Sequence, residues 1–229
     1  ILPKYNRFEK EFIKNGVDII YFPSPESNAI YIEYLNFIFA VWDLAHNEIP
    51  FFPEIRHNFA HNTREYLYRN VLPLACAITV GHEVAKQQII LKYGQSQEKL
   101  FILPFLPSGK IVEFDNFYKH DLNMNANGFD QEPYLYYPAQ YSPHKNHRII
   151  IDFVAYAQKT LHPKLKLVFT GADRGNKQFL KEYVNEVGLS NSVDFLDFQT
   201  DEEVFALYKK SLAVVMTSFI GPGTLPTME

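Results

Sequence analysis

The chain has 229 residues, more than the commonest domain size of about 100–150, so one large or two modest domains are expected. Its 47% hydrophobic and 21% charged residues are those of a soluble globular protein, and 15 tyrosines with 20 phenylalanines can fill sizeable cores. A net charge of −4 with scattered Lys and Arg offers no footprint for nucleic acid, no apolar run approaches the roughly 18 residues of a transmembrane helix, and ILPKYNRFEK lacks the order of a signal peptide.

Phe8, Phe12 and Ile13 recur at helical spacing in a segment closed by Gly16, and VDIIYFPSP follows as a short buried strand. Asn36 to Val41, NFIFAV, is the next strand and runs into Trp42, Asp43, Leu44, Ala45 and His46. A carboxylate and an imidazole thus follow the carboxyl end of a parallel strand, where α/β sheets collect chemistry. His46 reads equally well as a hydrogen-bonded loop histidine. The loop HNEIPFFPEIR carries Pro50, Pro53 and Glu54, and Asn62 or Thr63 opens a helix with Tyr66, Leu67, Val71 and Leu72 on one face, bent at its end by Pro73. Cys76 is the only cysteine, which excludes an internal disulfide and favours a reducing compartment; its setting in PLACAITV predicts a buried structural thiol.

Ala75 to Val80 reads as strand, Glu83 to Tyr93 as a helix closed by Gly94, and Leu100 to Leu103 as another strand. Alternating strands and helices predict a doubly wound parallel sheet with strands buried on both faces. From Pro107 to Pro133 regularity fails, and the stretch reads as a connector with little structure of its own. The expected division is therefore a first domain over 1–106, a linker over 107–133 and a second domain over 134–229.

Tyr134 to Tyr137 are good strand formers, and Ile149, Ile150, Phe153, Val154 and Tyr156 recur at helical spacing. The loop between them holds Lys145. Beside a helix amino terminus at the carboxyl edge of a sheet, a lysine suggests phosphate; a solvated loop whose lysine does nothing is equally consistent. Leu165 to Thr170 is strand, Gly171 to Asp173 turn, and Lys177 to Val187 a helix stopped by Gly188. Val193 to Leu196 is strand, and Asp201, Glu202 and Glu203 place negative charge where the next helix dipole favours it. Ala213 to Met216 is the last strand. The glycines and prolines of SFIGPGTLPTME suit a backbone close to a ligand, or ordinary turns. The chain opens without methionine and stops in what reads as a loop entering a helix, the pattern of a fragment.

The order of these pieces carries a resemblance. Ala139-Gln140 is followed by Pro143-His144-Lys145-Asn146-His147, then by DEEVFALYKKSLAVVMTSF and by Leu225-Pro226-Thr227-Met228-Glu229; in the first half stand Trp42-Asp43-Leu44-Ala45-His46 and Pro53-Glu54. Over roughly residues 36 to 229 this resembles the retaining family 4 glycosyltransferases, where a G-R strand precedes K-G or K-N, D-E-E-L-x-x-L-Y precedes L-P-x-L-E, and H-D-L-x-H precedes P-E.

The resemblance implies an α/β fold of two Rossmann-like, GT-B type domains with parallel sheets, each incomplete in this chain, with a cleft between them. It places the acceptor on the first domain and the sugar nucleotide on the second. Lys145, Gln140 and the loop around Gly221, Gly223 and Thr224 would bind the donor diphosphate, and Glu229 the donor ribose. Asp43 and His46 would serve catalysis, with Trp42 and Glu54 on the acceptor side. Three positions depart from the pattern: Trp42 replaces a histidine, Gln140 an arginine, and Gly221 the first of two glutamates spaced eight apart.

The implied activity is transfer of a hexose from a nucleoside diphosphate sugar to a hydroxyl of a glycan or lipid-linked glycan, with retention and without metal or other cofactor. It belongs to polysaccharide or lipopolysaccharide synthesis in the cytoplasm, and it admits peripheral contact with the inner face of the membrane. A sugar-nucleotide epimerase of the same architecture and a non-catalytic nucleotide- or glycan-binding module are the alternatives. Exposed apolar faces of a fragment would favour self-association.

Overall fold

Parallel strands cannot be joined by a hairpin, so each pair needs a crossover, and the alternation of apolar runs with helical segments supplies one between most successive strands. The computed structural model describes residues 7–107, 109–117 and 132–220. It shows an α/β fold of two compact units, Ile1–Phe105 and Leu106–Glu229, each with a parallel four-stranded sheet among the described residues. No described helix is long and apolar enough to cross a membrane.

The first unit contains α1 (Arg7–Lys14), β1 (Ile19–Phe22), β2 (Asn36–Val41), α2 (Ala45–Glu48), α3 (Pro53–Arg56), α4 (Ala60–Val71), β3 (Ala77–Val80), α5 (Glu83–Tyr93) and β4 (Leu100–Ile102), with sheet order β1-β2-β3-β4. Phe37, Phe39 and Val41 of β2 pack with Ile78, Tyr68 and Leu72 in one core. α1 is docked by a buried acid: Glu9 Oε1 accepts the amides of Glu33, Tyr34 and Leu35 at 2.9, 2.8 and 3.0 Å. Those three N–H groups converge just ahead of β2, and one carboxylate satisfies them together.

Several expectations for this unit need correction. The strands are not all buried on both faces: β1, at the edge, exposes Ile19 and Tyr21, and β4, at the other edge, exposes Phe101 and Ile102. Among the described residues the strand order of this sheet runs without reversal. Cys76 is exposed rather than buried, because it lies just before β3 begins; its thiol donates to the Phe37 carbonyl at 3.1 Å.

The second unit contains α6 (Gly109–Phe117), β5 (Tyr134–Pro138), α7 (His147–Thr160), β6 (Lys166–Thr170), α8 (Lys177–Glu186), β7 (Val193–Leu196), α9 (Asp201–Lys210) and β8 (Ala213–Val214). The order is β7-β6-β5-β8, so the winding reverses between β5 and β8. Alternation along β5 serves both faces: Leu135 and Tyr137 join the core beneath α7 and α8, while Tyr134 and Tyr136 pack with Val168, Ala206 and Leu207. The buried tyrosines have polar partners, with Tyr134 donating to the Leu207 carbonyl at 2.8 Å and Tyr136 sharing a 2.7 Å bond with Thr170.

Two expectations change here. Residues 109–117, read as irregular connector, form α6, which lies on α9 through Phe114 and Phe205 (5.8 Å) and the pairs Lys110–Asp201 and Lys209–Asp115. Its partners lie some ninety residues away, beyond any local pattern. In α7 the apolar residues split between faces: His147, Ile150, Ile151, Val154 and Ala157 are buried, whereas Ile149, Phe153 and Tyr156 are exposed.

The loops at the carboxyl ends of β5 and β6 touch at one glycine. Gly171 has φ +148°, and a Cβ there would stand 2.3 Å from the Ala139 carbonyl oxygen. Both the backbone conformation and the space require glycine. Gly171→Ala is expected to lower the unfolding free energy by about 3 kcal/mol in denaturant titrations; a variant as stable as the parent would show that the two loops part freely.

Candidate functional site

In the first unit the sequence-derived site residues follow β2. Trp42 leaves half its surface exposed, and its indole N–H donates to the Pro23 carbonyl at 2.8 Å, which fixes the ring beside the exit of β1. Asp43 Oδ1 accepts the Ala45 amide at 2.8 Å, at the entry to α2, and the Arg64 guanidinium at 2.6 Å. Arg64 also donates to the Asp43 carbonyl at 3.0 Å. Asp43 is therefore held from two directions while its side chain stays 46% exposed. Glu54 is half-buried on α3.

His46 is placed differently: it is fully buried. Its Nε2 lies 3.1 Å from both Glu65 Oε1 and the Tyr93 hydroxyl, and Asn47 donates to the same two groups at 2.9 Å. Asn47 Nδ2 also lies 3.0 Å from Nε2, so this one ring nitrogen carries all the polar contacts of the imidazole. Burial, helped by Arg64, pushes the imidazole down to about 4 against the pull of Glu65, so it is neutral at pH 7. Burial opposes ionisation of Glu65, but Tyr93, Asn47, Arg69 and His46 outweigh it and hold the carboxyl at about 2. The polar centre of this unit is thus His46–Glu65–Tyr93–Asn47, of which the sequence reading singled out only His46. Glu65 and Tyr93 come from α4 and α5, and no spacing signal links them to His46.

In the second unit the switch between β5 and β8 brings two loops together. After β5 come exposed Gln140, a 3-10 turn over Pro143–Lys145, and Asn146 at φ +54°, from which α7 starts. Asparagine, like glycine, tolerates this left-handed backbone, which turns the chain from the lysine into the helix. The carbonyls of this turn all find donors. Lys145 O accepts from the Tyr137 hydroxyl at 2.6 Å and from Thr217 Oγ1 at 3.2 Å; Asn146 O accepts from Thr217 at 2.9 Å; His144 O accepts the Phe219 amide at 2.9 Å. The lysine turn is stitched to the segment that follows β8. Gly221, Gly223, Thr224 and Glu229 lie outside the described residues.

Behind the turn, His147 is fully buried among Tyr137, Tyr141 and Phe169, with ring centroids 4.7, 5.4 and 5.1 Å away. Neither ring nitrogen has a partner in hydrogen-bond geometry. Burial pushes its pKa down to about 4 against the pull of the Ala139 backbone, and the nearby Lys145 and His144 lower it further. On the same edge, an opening of about 260 Å³ is lined by Thr170, Gly171, Ala172, Asp197, Phe198, Gln199 and Val204 at the ends of β6 and β7. In the first unit a hollow of about 270 Å³ lies between the closing turns of α4 and α5, lined by Arg69, Lys92, Tyr93 and Gln95 among others. Among the described residues no cluster of three or more His, Cys, Asp or Glu side chains could hold a metal ion.

Residues 120–229 match the family described as Glycosyl transferases group 1. No curated protein is similar enough in sequence to count as a relative. In fold, the chain is similar to HepE of Anabaena in complex with UDP and glucose, with TM-score 0.62 and 16% identity over 94% of this chain and 59% of that one. It is similar to sucrose-phosphate synthase of Thermosynechococcus elongatus, with TM-score 0.64 and 16% identity over 95% and 54%. WaaG, a glycosyltransferase involved in lipopolysaccharide biosynthesis, gives TM-score 0.62 and 12% identity over 93% and 56%. The chain spans little more than half the length of these structures, and at such identities the likeness is one of fold, two Rossmann-like units of the GT-B type.

A histidine whose folded pKa lies below its unfolded value of about 6.5 makes stability fall as pH drops from 6.5 towards 4, because only the unfolded chain takes up the proton. His46 acts this way in the first unit and His147 in the second. His147→Phe keeps the aromatic packing and removes the second contribution. The stability lost between pH 7 and pH 5 is expected to shrink by about 2 kcal/mol in this variant, measured by denaturant unfolding at each pH. An unchanged pH profile would show that His147 is protonated in the folded state.

Proposed function

We propose that this chain carries the donor site and acceptor-side residues of a GT-B glycosyltransferase, which moves a hexose from a nucleoside diphosphate sugar to a hydroxyl of a glycan or lipid-linked glycan, with retention and without a metal ion. The observation that carries the reading is the reversal of strand order between β5 and β8, with the Lys145 turn tied across it to Thr217 and Phe219. Open parallel sheets bind ligands outside the carboxyl ends of their strands at such a switch. The family match over 120–229 covers the same segment, and HepE, similar in fold, was crystallised with UDP and glucose.

In this reading Lys145 neutralises the donor diphosphate and stabilises the departing nucleotide. Gln140 and the loop around Gly221, Gly223 and Thr224 share the phosphates, and Glu229 takes the ribose. The opening of about 260 Å³ beside Gly171 accepts the base, where the Phe198 ring, 92% exposed, offers a stacking face and Gln199 an amide. In the first unit Asp43, oriented by Arg64, receives or orients the acceptor hydroxyl proton, with Trp42 and Glu54 beside the acceptor. His46 acts through position, since its ring is sealed beneath the surface and bonded to Glu65 and Tyr93. Supply of sugar nucleotides places the work in the cytoplasm, with polysaccharide or lipopolysaccharide as the product and a peripheral contact where the acceptor is lipid-linked.

The test is transfer. A panel of sugar nucleotides is incubated with and without glycan acceptors in the whole protein; glycosidic product is expected only with acceptor, and conversion of the donor alone would favour epimerisation instead. Lys145→Ala is expected to weaken nucleoside diphosphate binding about tenfold, measured by calorimetry; equal affinity would remove the lysine from the donor site. Asp43→Asn keeps an oxygen acceptor for the Ala45 amide and is expected to lower turnover about a hundredfold with donor affinity retained. Full turnover in that variant would take Asp43 out of the reaction.

A further inference from the structure

The charges along the carboxyl edge of the second sheet are mostly matched. Lys177 pairs with Asp197 at 2.9 Å and lies over the Tyr141 ring. The acid nearest in sequence, Asp173, has its Oδ1 occupied by the amides of Gly175, Asn176 and Lys177 at 2.8, 3.2 and 3.2 Å. That carboxylate closes the turn into α8 and is occupied by three successive amides up to the first residue of the helix.

Arg174 stands apart. Its Nε donates to Gln140 Oε1 at 3.3 Å, and among the described residues no carboxylate lies within ion-pair distance of its guanidinium. The position is built from the backbone outward. Tyr141 donates its amide to the Ala172 carbonyl at 2.9 Å, Arg174 donates its amide to the Tyr141 carbonyl at 3.2 Å, and Tyr141 and Asp173 form a parallel bridge. Together with the close approach at Gly171, these bonds clamp the β6–α8 loop against the start of the lysine turn. An exposed arginine from one loop is thus delivered to the glutamine of the other, five residues before Lys145.

We propose that Arg174 is a second diphosphate-binding cation of the donor site and that Gln140 is its positioning residue. The inference rests on the donor reading given above. A carboxamide suits the task better than a carboxylate: its oxygen accepts one N–H and fixes the plane of the guanidinium, yet it leaves the positive charge uncancelled. The four Nη hydrogens remain for the forked contact with phosphate oxygens that arginine makes and lysine does not. Lys145 supplies a point charge and Arg174 a directional one, from neighbouring strands of the same sheet.

The experiment is calorimetric titration of the full chain with UDP, GDP and ADP, together with the matching nucleosides followed by ligand-observed NMR. The parent and four variants are compared: Arg174→Gln, Arg174→Lys, Gln140→Ala and Lys145→Ala. Arg174→Gln is expected to weaken the preferred diphosphate about tenfold while nucleoside binding stays as in the parent. Arg174→Lys should recover only part of the loss, and Gln140→Ala should cost less than Arg174→Gln and less in the double variant than on its own. Parental diphosphate affinity in Arg174→Gln, alongside a loss in Lys145→Ala, overturns the role of Arg174 and leaves the donor site standing. Equal loss of nucleoside and diphosphate in Arg174→Gln also overturns it, by showing a structural or base-side effect. A parent that binds none of the three nucleotides overturns the donor reading and this inference with it.

Discussion

The second unit depends on one constraint, the need to satisfy the carbonyl groups of a tight turn that projects from the carboxyl edge of a sheet. Residues 144–146 cannot pair with a strand, and the turn into α7 leaves their oxygens facing the protein. A tyrosine hydroxyl from β5 and the hydroxyl and amide groups of Thr217 and Phe219 meet them. Because Thr217 and Phe219 come from the segment after β8, they reach the turn with β8 beside β5, on the side away from β6. Strand order and loop geometry are in this sense one fact. The reversal that marks a ligand crevice in open parallel sheets also brings the anchors of the lysine turn into place.

The two units use buried polarity in different ways. In the first, His46, Glu65, Tyr93 and Asn47 form a bonded network in which each member's charge state follows from its neighbours: burial leaves the imidazole neutral, and four donors keep the carboxylate ionised. In the second, His147 is enclosed by aromatic rings, and neither ring nitrogen has a partner in hydrogen-bond geometry. An unpartnered buried imidazole is costly, and it sits directly behind the Lys145 turn, at the first residue of α7. Its neutrality keeps a further positive charge away from the lysine.

Much of the fold was legible in the sequence because its signals are local. Glycines with positive φ close α5 at Gly94 and follow α8 at Gly188, and apolar runs of four to six residues mark most strands. What was not legible depends on partners distant in the chain. α6 carries too short a pattern to be read as a helix, and what secures it is Phe205 on α9. The exposure of Cys76 turns on where β3 begins, within a residue or two, which composition cannot resolve. For the candidate site, the positions of Asp43 and Lys145 at strand ends followed from alternation alone. The partners that orient them, Arg64 and the Thr217 segment, and the contact between Arg174 and Gln140, follow from register between strands and have no signature in spacing.

The anchors of the lysine turn are nearly all main-chain oxygens, and this has an evolutionary consequence. A carbonyl is the same whichever side chain follows it, so positions 144 and 145 can change identity without loosening the turn that presents them. Position 146 is more restricted, because its left-handed backbone suits asparagine or glycine. Selection can therefore retune what the edge of this sheet recognises by altering two side chains, while Tyr137 and Thr217, which read only the backbone, are the residues expected to drift least.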